Sequence, residues 1–126
     1  MKSGQMLFWG GVFILIAVVL SLTLFVKPGA SNLEPFAQCL KDKGATFYGA
    51  FWCPHCQKQK AMFGSAVKLL PYVECSTPDG KAQLQACIDK KIDNYPTWEF
   101  ADGSRLTGEV ALTSLAEKTG CSLPTK

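Results

Sequence analysis

Two cysteines separated by two residues, in Trp52-Cys53-Pro54-His55-Cys56, are the side chains of this sequence best suited to chemistry. That spacing lets a disulfide open and close at little conformational cost, which makes thiol-disulfide exchange the first reaction to consider. Thr46-Phe47-Tyr48-Gly49-Ala50-Phe51 before the pair reads as a short buried strand, and Cys56 to Phe63 after it reads as a helix. Cys53 then falls at a helix N-terminus with Cys56 one turn later on the same face. A free cysteine of pKa ~8.5 is only about 3% thiolate at neutral pH. Unpaired backbone N–H groups, the helix dipole and the imidazole of His55 would each favour the charged sulfur, so Cys53 is the expected nucleophile and Cys56 the resolving thiol. A static structural disulfide is the plainer alternative.

Metal chemistry fits the same residues less well. A zinc site would want a second ligand pair at close spacing, and Cys75 and Cys87 are too far apart to supply a knuckle. Covalent haem attachment needs a histidine directly after the second cysteine, where this sequence has Gln57. No metal or other cofactor is implied.

Elements that must position the pair begin after a sharp change of composition. Residues 1–5 are a short tail, and Met6 to Val26 is a run of 21 residues without a charge. As a helix rising ~1.5 Å per residue that run would cross the ~30 Å hydrocarbon layer of a bilayer, so a single transmembrane signal anchor is expected over 6–26. A cleaved secretory signal is the rival; the apolar stretch is long for one, and Pro28 spoils the small-residue cleavage pattern. Residues 27–32 read as a linker and 33–126 as one domain. The whole chain has six cysteines, an even number, which favours an oxidising compartment. The catalytic domain is therefore expected on the outer, periplasmic or extracellular, face of the cytoplasmic membrane. From Leu33 onward, eleven Lys and Arg face ten Asp and Glu, so the domain carries no nucleic-acid footprint.

Within 33–126 the periodicity predicts a helix carrying Leu33, Phe36, Ala37 and Leu40, and the strand 46–51. A long helix follows, with an inward stripe of Met62, Phe63, Ala66, Val67 and Leu70. Tyr72 to Cys75 is a second strand. A turn at Thr77 to Gly80 leads to a helix with Leu84, Cys87, Ile88 and Ile92 on one side. Thr97 to Phe100 and Arg105 to Thr107 form a hairpin, and Leu112, Leu115 and Ala116 mark a last helix. The order α-β-α-β-α-β-β-α gives an α/β fold, a mixed sheet flanked by helices and preceded by the one transmembrane helix.

This pattern resembles the thioredoxin superfamily over nearly all of Leu33 to Cys121, on the strand-to-helix Trp52-Cys53-Pro54-His55-Cys56 and on Tyr95-Pro96-Thr97. The resemblance implies a cis Pro96 lying against the cysteine pair. A proline there presents no N–H to the sulfurs, and the backbone beside it can pair with an extended substrate. Trp52, Tyr95, Pro96 and Thr97 are thus the expected substrate-binding residues. Within the superfamily, Phe47 to Cys56, Pro71-Tyr72-Val73-Glu74-Cys75 and Tyr95-Pro96-Thr97-Trp98 are most similar to the thioredoxin-like domain of bacterial vitamin K epoxide reductase homologues. That likeness implies reduced or misoxidised secreted clients and a quinone-linked membrane reductase as partners. The Pro54-His55 dipeptide also looks like that of periplasmic disulfide oxidases of the DsbA type, which adds both residues to the catalytic set and favours oxidation. Many relatives bury a carboxylate six residues before the first cysteine. Phe47 stands there, which counts against a fast reductase.

The likeness also supports a staple between Cys75 and Cys87, a redox relay being the alternative. Cys39 and Cys121 are left for each other by elimination. The expected function is membrane-anchored disulfide exchange on extracytoplasmic proteins. The alternatives are a reductase or isomerase of the same fold, or a non-catalytic anchored module that holds clients beside Pro96.

Overall fold

The computed structural model describes residues 2–25 and 32–125, with side chains in the first helix from Trp9 to Ser21. The chain divides into two compact units, 1–30 and 31–126. The first contains helix α1, Lys2–Phe25. It starts ahead of the apolar run, at Lys2-Ser3-Gly4-Gln5, and among the described residues no helix is long and apolar enough to cross a membrane. The span expected over 6–26 is not shown on that ground. The linker expected over 27–32 lies, Asn32 apart, outside the described residues.

The second unit runs α2 (Glu34–Asp42), β1 (Thr46–Gly49), α3 (Pro54–Ala61), a 3-10 helix (Gly64–Leu69), β2 (Tyr72–Glu74), α4 (Gln85–Asp89), β3 (Thr97–Glu99), β4 (Arg105–Thr107) and α5 (Leu112–Thr119). The sheet order is β2-β1-β3-β4. β1 and β2 are parallel, joined by the crossover through α3, while β3 is antiparallel to both β1 and β4. A four-stranded mixed sheet with helices on its faces fits the thioredoxin-like architecture.

Successive strand residues point to opposite faces, and β1 shows where each layer packs. Phe47 joins the larger core with Phe36, Ala37 and Leu40 of α2, Cys56 of α3, Phe63 and Ala66 beyond it, and Leu115 of α5. Its ring stacks on Trp98 at 4.9 Å and meets Tyr72 at 5.2 Å. Tyr48 faces the other way, into a smaller cluster with Cys75, Cys87 and Ile92. Thus α2, α3 and α5 share one face and α4 takes the other. That shared face brings Cys39 of α2 to Cys121 just past α5, with Cα atoms 5.9 Å apart and the sulfurs bonded. Cys75 and Cys87 are bonded on the opposite side. Both Thr97 and Trp98 are buried, so β3 lacks the half-exposed alternation its sequence suggests; layers cover both faces of a central strand.

Three expectations need correction. The long helix after the cysteine pair breaks: α3 ends at Ala61 and the chain continues as a 3-10 helix. Gly64, at φ +52, makes the break with a backbone conformation that side chains disfavour. Three residues per turn then bury Phe63 and Ala66 and turn Met62 and Val67 out, at 36% and 37% exposure. The helix after the turn is only five residues long and exposes Leu84 and Ile88, because the disulfide holds Cys87 inward and Lys91, at φ +53, redirects the chain. Finally, β1 stops at Gly49. Ala50 is buried, and the exposed Phe51 gives its N–H to the carboxylate of Glu74 instead of a neighbouring strand.

Candidate active site

The end of β1 delivers the chain to α3 in a tight turn, with the Cys53 N–H donating to the Ala50 carbonyl at 3.0 Å. Pro54 starts the helix, where its missing N–H costs nothing and its fixed φ suits the first turn. Cys53 is the N-cap, with extended backbone angles of φ −76 and ψ 118. Its Sγ accepts the N–H of Cys56 at 3.4 Å, an arrangement that suits an anionic sulfur. Both cysteines of the pair are free thiols and both are buried, at 5% and 1% exposure.

The second thiol sits in a different environment from the first. Burial pushes Cys56 up to about 12, and its hydrogen bond and electrostatic contact with Cys53 push in the same direction. A backbone contact at Ala50 and the Lys60 ammonium pull it partly back. Cys56 is therefore held as a neutral thiol while Cys53 faces the helix N–H groups.

The Tyr95–Pro96 peptide bond is cis. The Tyr95 carbonyl lies 3.9 Å from Cys53 Sγ, within reach of its thiol proton. Pro96 is fully buried, and its carbonyl accepts the N–H of Gly108 at 2.8 Å. The Tyr95 carbonyl is thus the backbone group that faces the sulfur. Thr97 is buried too, its hydroxyl given to the Asn94 carbonyl at 2.7 Å, so its side chain serves the loop and lies off the surface. Trp52 is half exposed; its Nε1 donates to Ser76 Oγ at 2.9 Å, and its ring meets Tyr95 edge-on at 6.2 Å. Gln83 donates to the Tyr95 hydroxyl at 2.7 Å. Together Trp52, Tyr95, Gln83 and the 76–82 loop line a cavity of about 190 Å³ beside the pair.

His55 is exposed and bound to a carboxylate. Its Nδ1 lies 2.6 Å from Oε1 of Glu109, which also attracts Lys58 at 3.9 Å. Any positive charge on the imidazole is therefore shared with a carboxylate, which weakens the help expected for Cys53. The residue after Glu109 is pinned by Gln59, a buried glutamine that donates to the Val110 carbonyl at 3.0 Å and accepts the Val110 N–H at 2.6 Å. Burying an amide is tolerable only with such pairing. Sequence reasoning missed both residues; the only signal was a polar Gln59 at an inward position of α3.

Phe47, at the position where the resemblance would place a carboxylate, is fully buried against aromatic rings. The Tyr72 ring approaches Cys56 from β2. The Tyr72 hydroxyl donates to Glu74 Oε2 at 2.7 Å, and burial together with that carboxylate holds the phenol well above its ordinary range. Lys60 lies over the same ring, 3.4 Å from its centroid. The sequence reading gave none of these three residues a role at the site.

No family model matches the chain. A curated relative, the thiol-disulfide oxidoreductase LTO1 of Arabidopsis thaliana, is 45% identical over 113 residues, which cover 82% of this chain and 30% of that protein. The chain thus spans less than a third of that relative's length. The likeness to it, over most of this chain, supports an oxidoreductase.

Proposed function

We propose that this chain is a membrane-anchored thiol-disulfide oxidoreductase that oxidises extracytoplasmic proteins through Cys53 and Cys56. The observation that carries the reading is the asymmetry of the pair: one sulfur caps a helix N-terminus beside a cis-proline loop, and the other is buried as a thiol. The relative's name describes the same chemistry.

In the oxidising direction a client thiolate attacks Sγ of Cys53 in the Cys53–Cys56 disulfide. The S–S bond breaks, its electron pair leaves on Cys56, and a client–Cys53 mixed disulfide forms. The client's second thiolate then attacks its own sulfur in that bond, and Cys53 departs as a thiolate. Two electrons and two protons now reside on the pair, and the client holds a new disulfide. Exchange with a quinone-linked membrane partner would return the pair to the disulfide. Trp52, Tyr95 and the cavity between them supply a surface for the extended client. Phe47 in place of a buried carboxylate favours oxidation over reduction, since no carboxylate waits beneath the pair to take the resolving proton.

The outer-face location and the anchor draw their support from the sequence, through the uncharged run 6–26 and the even number of cysteines. Likeness to the thioredoxin-like domain of vitamin K epoxide reductase homologues supports the quinone-linked partner. The full chain carrying Cys56→Ala, expressed in cells, tests the function. Client proteins should accumulate as mixed disulfides on Cys53; a variant that binds unfolded chains but captures none covalently would instead mark a non-catalytic holding module.

A further inference from the structure

The exchange reaction just proposed asks Cys56 to bear a negative charge in either direction, as leaving group or as attacking thiolate, although burial opposes it. We propose that Lys60 is the positioning residue that carries Cys56 through this anionic state, seated for the task by Tyr72 and Glu74. The inference rests on the reading of Cys53 and Cys56 as an exchanging pair and identifies what replaces the missing carboxylate.

Lys60 follows Cys56 by four residues on α3, one turn along the same face. A lysine left to itself would swing into solvent. Here its ammonium is placed on the Tyr72 ring at 3.4 Å, an attraction of a cation to the face of an aromatic ring. The ring cannot drift, because its hydroxyl is bound to Glu74 at 2.7 Å. Glu74 is itself fixed by the N–H groups of Phe51 at 3.1 Å and Ser76 at 2.9 Å.

Gly49 shows how closely ring and sulfur approach. A Cβ added there would lie 2.9 Å from Cys56 Sγ and 3.0 Å from Tyr72 Cε2, so only a glycine leaves room for the two to flank one space. The groups whose charge or ring reaches Cys56 are Cys53 and Lys60 from α3 and Tyr72 from β2, with Glu74 behind Tyr72 on its hydroxyl. His55 and Lys58 are engaged by Glu109. Among these, Glu74 is a poor proton acceptor, since both its oxygens are already engaged by three donors. Tyr72 is a neutral phenol. Lys60 is the one cation of the set, and its field acts on the thiolate alone.

The test uses the full chain with glutathione as the probe. Oxidised glutathione is attacked by the Cys53 thiolate, which leaves a mixed disulfide on Cys53 and releases one reduced glutathione. The Cys56 thiolate then attacks Cys53, forming the internal disulfide and expelling the second glutathione as a thiolate. The rate of that second release is followed against pH. Below the point where Cys56 ionises, the rate follows its thiolate fraction, so Lys60→Met should lower the profile about tenfold, equivalent to one unit of pKa. Lys60→Arg should restore it, and Lys60→Gln should behave as Lys60→Met does. Release at the parent rate in Lys60→Met, or an arginine variant as slow as the methionine one, would overturn the proposal. Failure of Cys53 to form the first mixed disulfide would instead bring down the exchange reading, and this inference with it.

Discussion

The six cysteines sort into two kinds of site, and the contrast between them explains how one chain keeps two disulfides closed and leaves a third pair free to react. Cys39 and Cys121 are 82 residues apart, and Cys75 and Cys87 are 12 apart. Each bond ties a helix, or the end of one, to a part of the chain it packs against. Cys53 and Cys56 are only three apart, on the first turn of α3, and their environments oppose one another. The difference teaches that reactivity here comes from local polarity. A sulfur supplied with helix N–H groups beside one buried as a thiol makes a pair that exchanges, whereas a bond that closes a loop between packed parts of the chain makes a pair that staples.

Breaking the reactive pair should have the largest effect. Cys53→Ser is expected to abolish both insulin reduction and thiol oxidation, read as turnover in the two assays. Breaking the staples should lower stability and leave the chemistry in place. Changing Cys39 and Cys121 together to Ala should cost about 4.5 kcal/mol, and changing Cys75 and Cys87 together about 3 kcal/mol, from the entropy of the loops they close. Denaturant unfolding of the full chain measures both, and a Cys75, Cys87 variant that lost exchange at full stability would point to a relay.

The pH dependence sharpens the same contrast. In the dithiol form the folded chain holds the Cys56 proton up to about 12, against an ordinary value of 9.0. The unfolded chain gives that proton up first, so the contribution is intact below about pH 9 and is lost as pH rises toward about 12. The dithiol form should therefore lose stability relative to the disulfide form across that window in denaturant titrations. Least of all, Glu109→Gln should change turnover by only a few fold, because it releases His55 on the exposed side of the helix.

Features written in contiguous residues were legible in the sequence. The strand-turn-helix around Cys53, the hairpin Thr97 to Thr107 and the last helix all follow from short-range pattern and turn chemistry. The cis bond before Pro96 followed from family likeness, and the structure contains it. What stayed hidden depends on contacts across the fold. Phe47 lies opposite Tyr72 in the sheet register, and that parallel pairing, invisible in either segment alone, brings the Tyr72 ring beside Cys56 with Glu74 on its hydroxyl. Glu109 meets His55 across 54 residues, and a buried Gln59 at an inward position of α3 pins the neighbouring Val110 backbone. The apolar stripe from Met62 to Leu70 misled because its residues fit a 3.6-residue repeat until Gly64 changed the period.

The most direct test of the central claim is to equilibrate the full chain in glutathione buffers of graded potential, trap the thiols by alkylation and assign each by peptide mass. The account predicts that Cys53 and Cys56 interconvert as a unit, at a more oxidising potential than the two staples, which stay bonded throughout that range. Opening of Cys75–Cys87 or Cys39–Cys121 at or before the potential at which Cys53–Cys56 opens would contradict it.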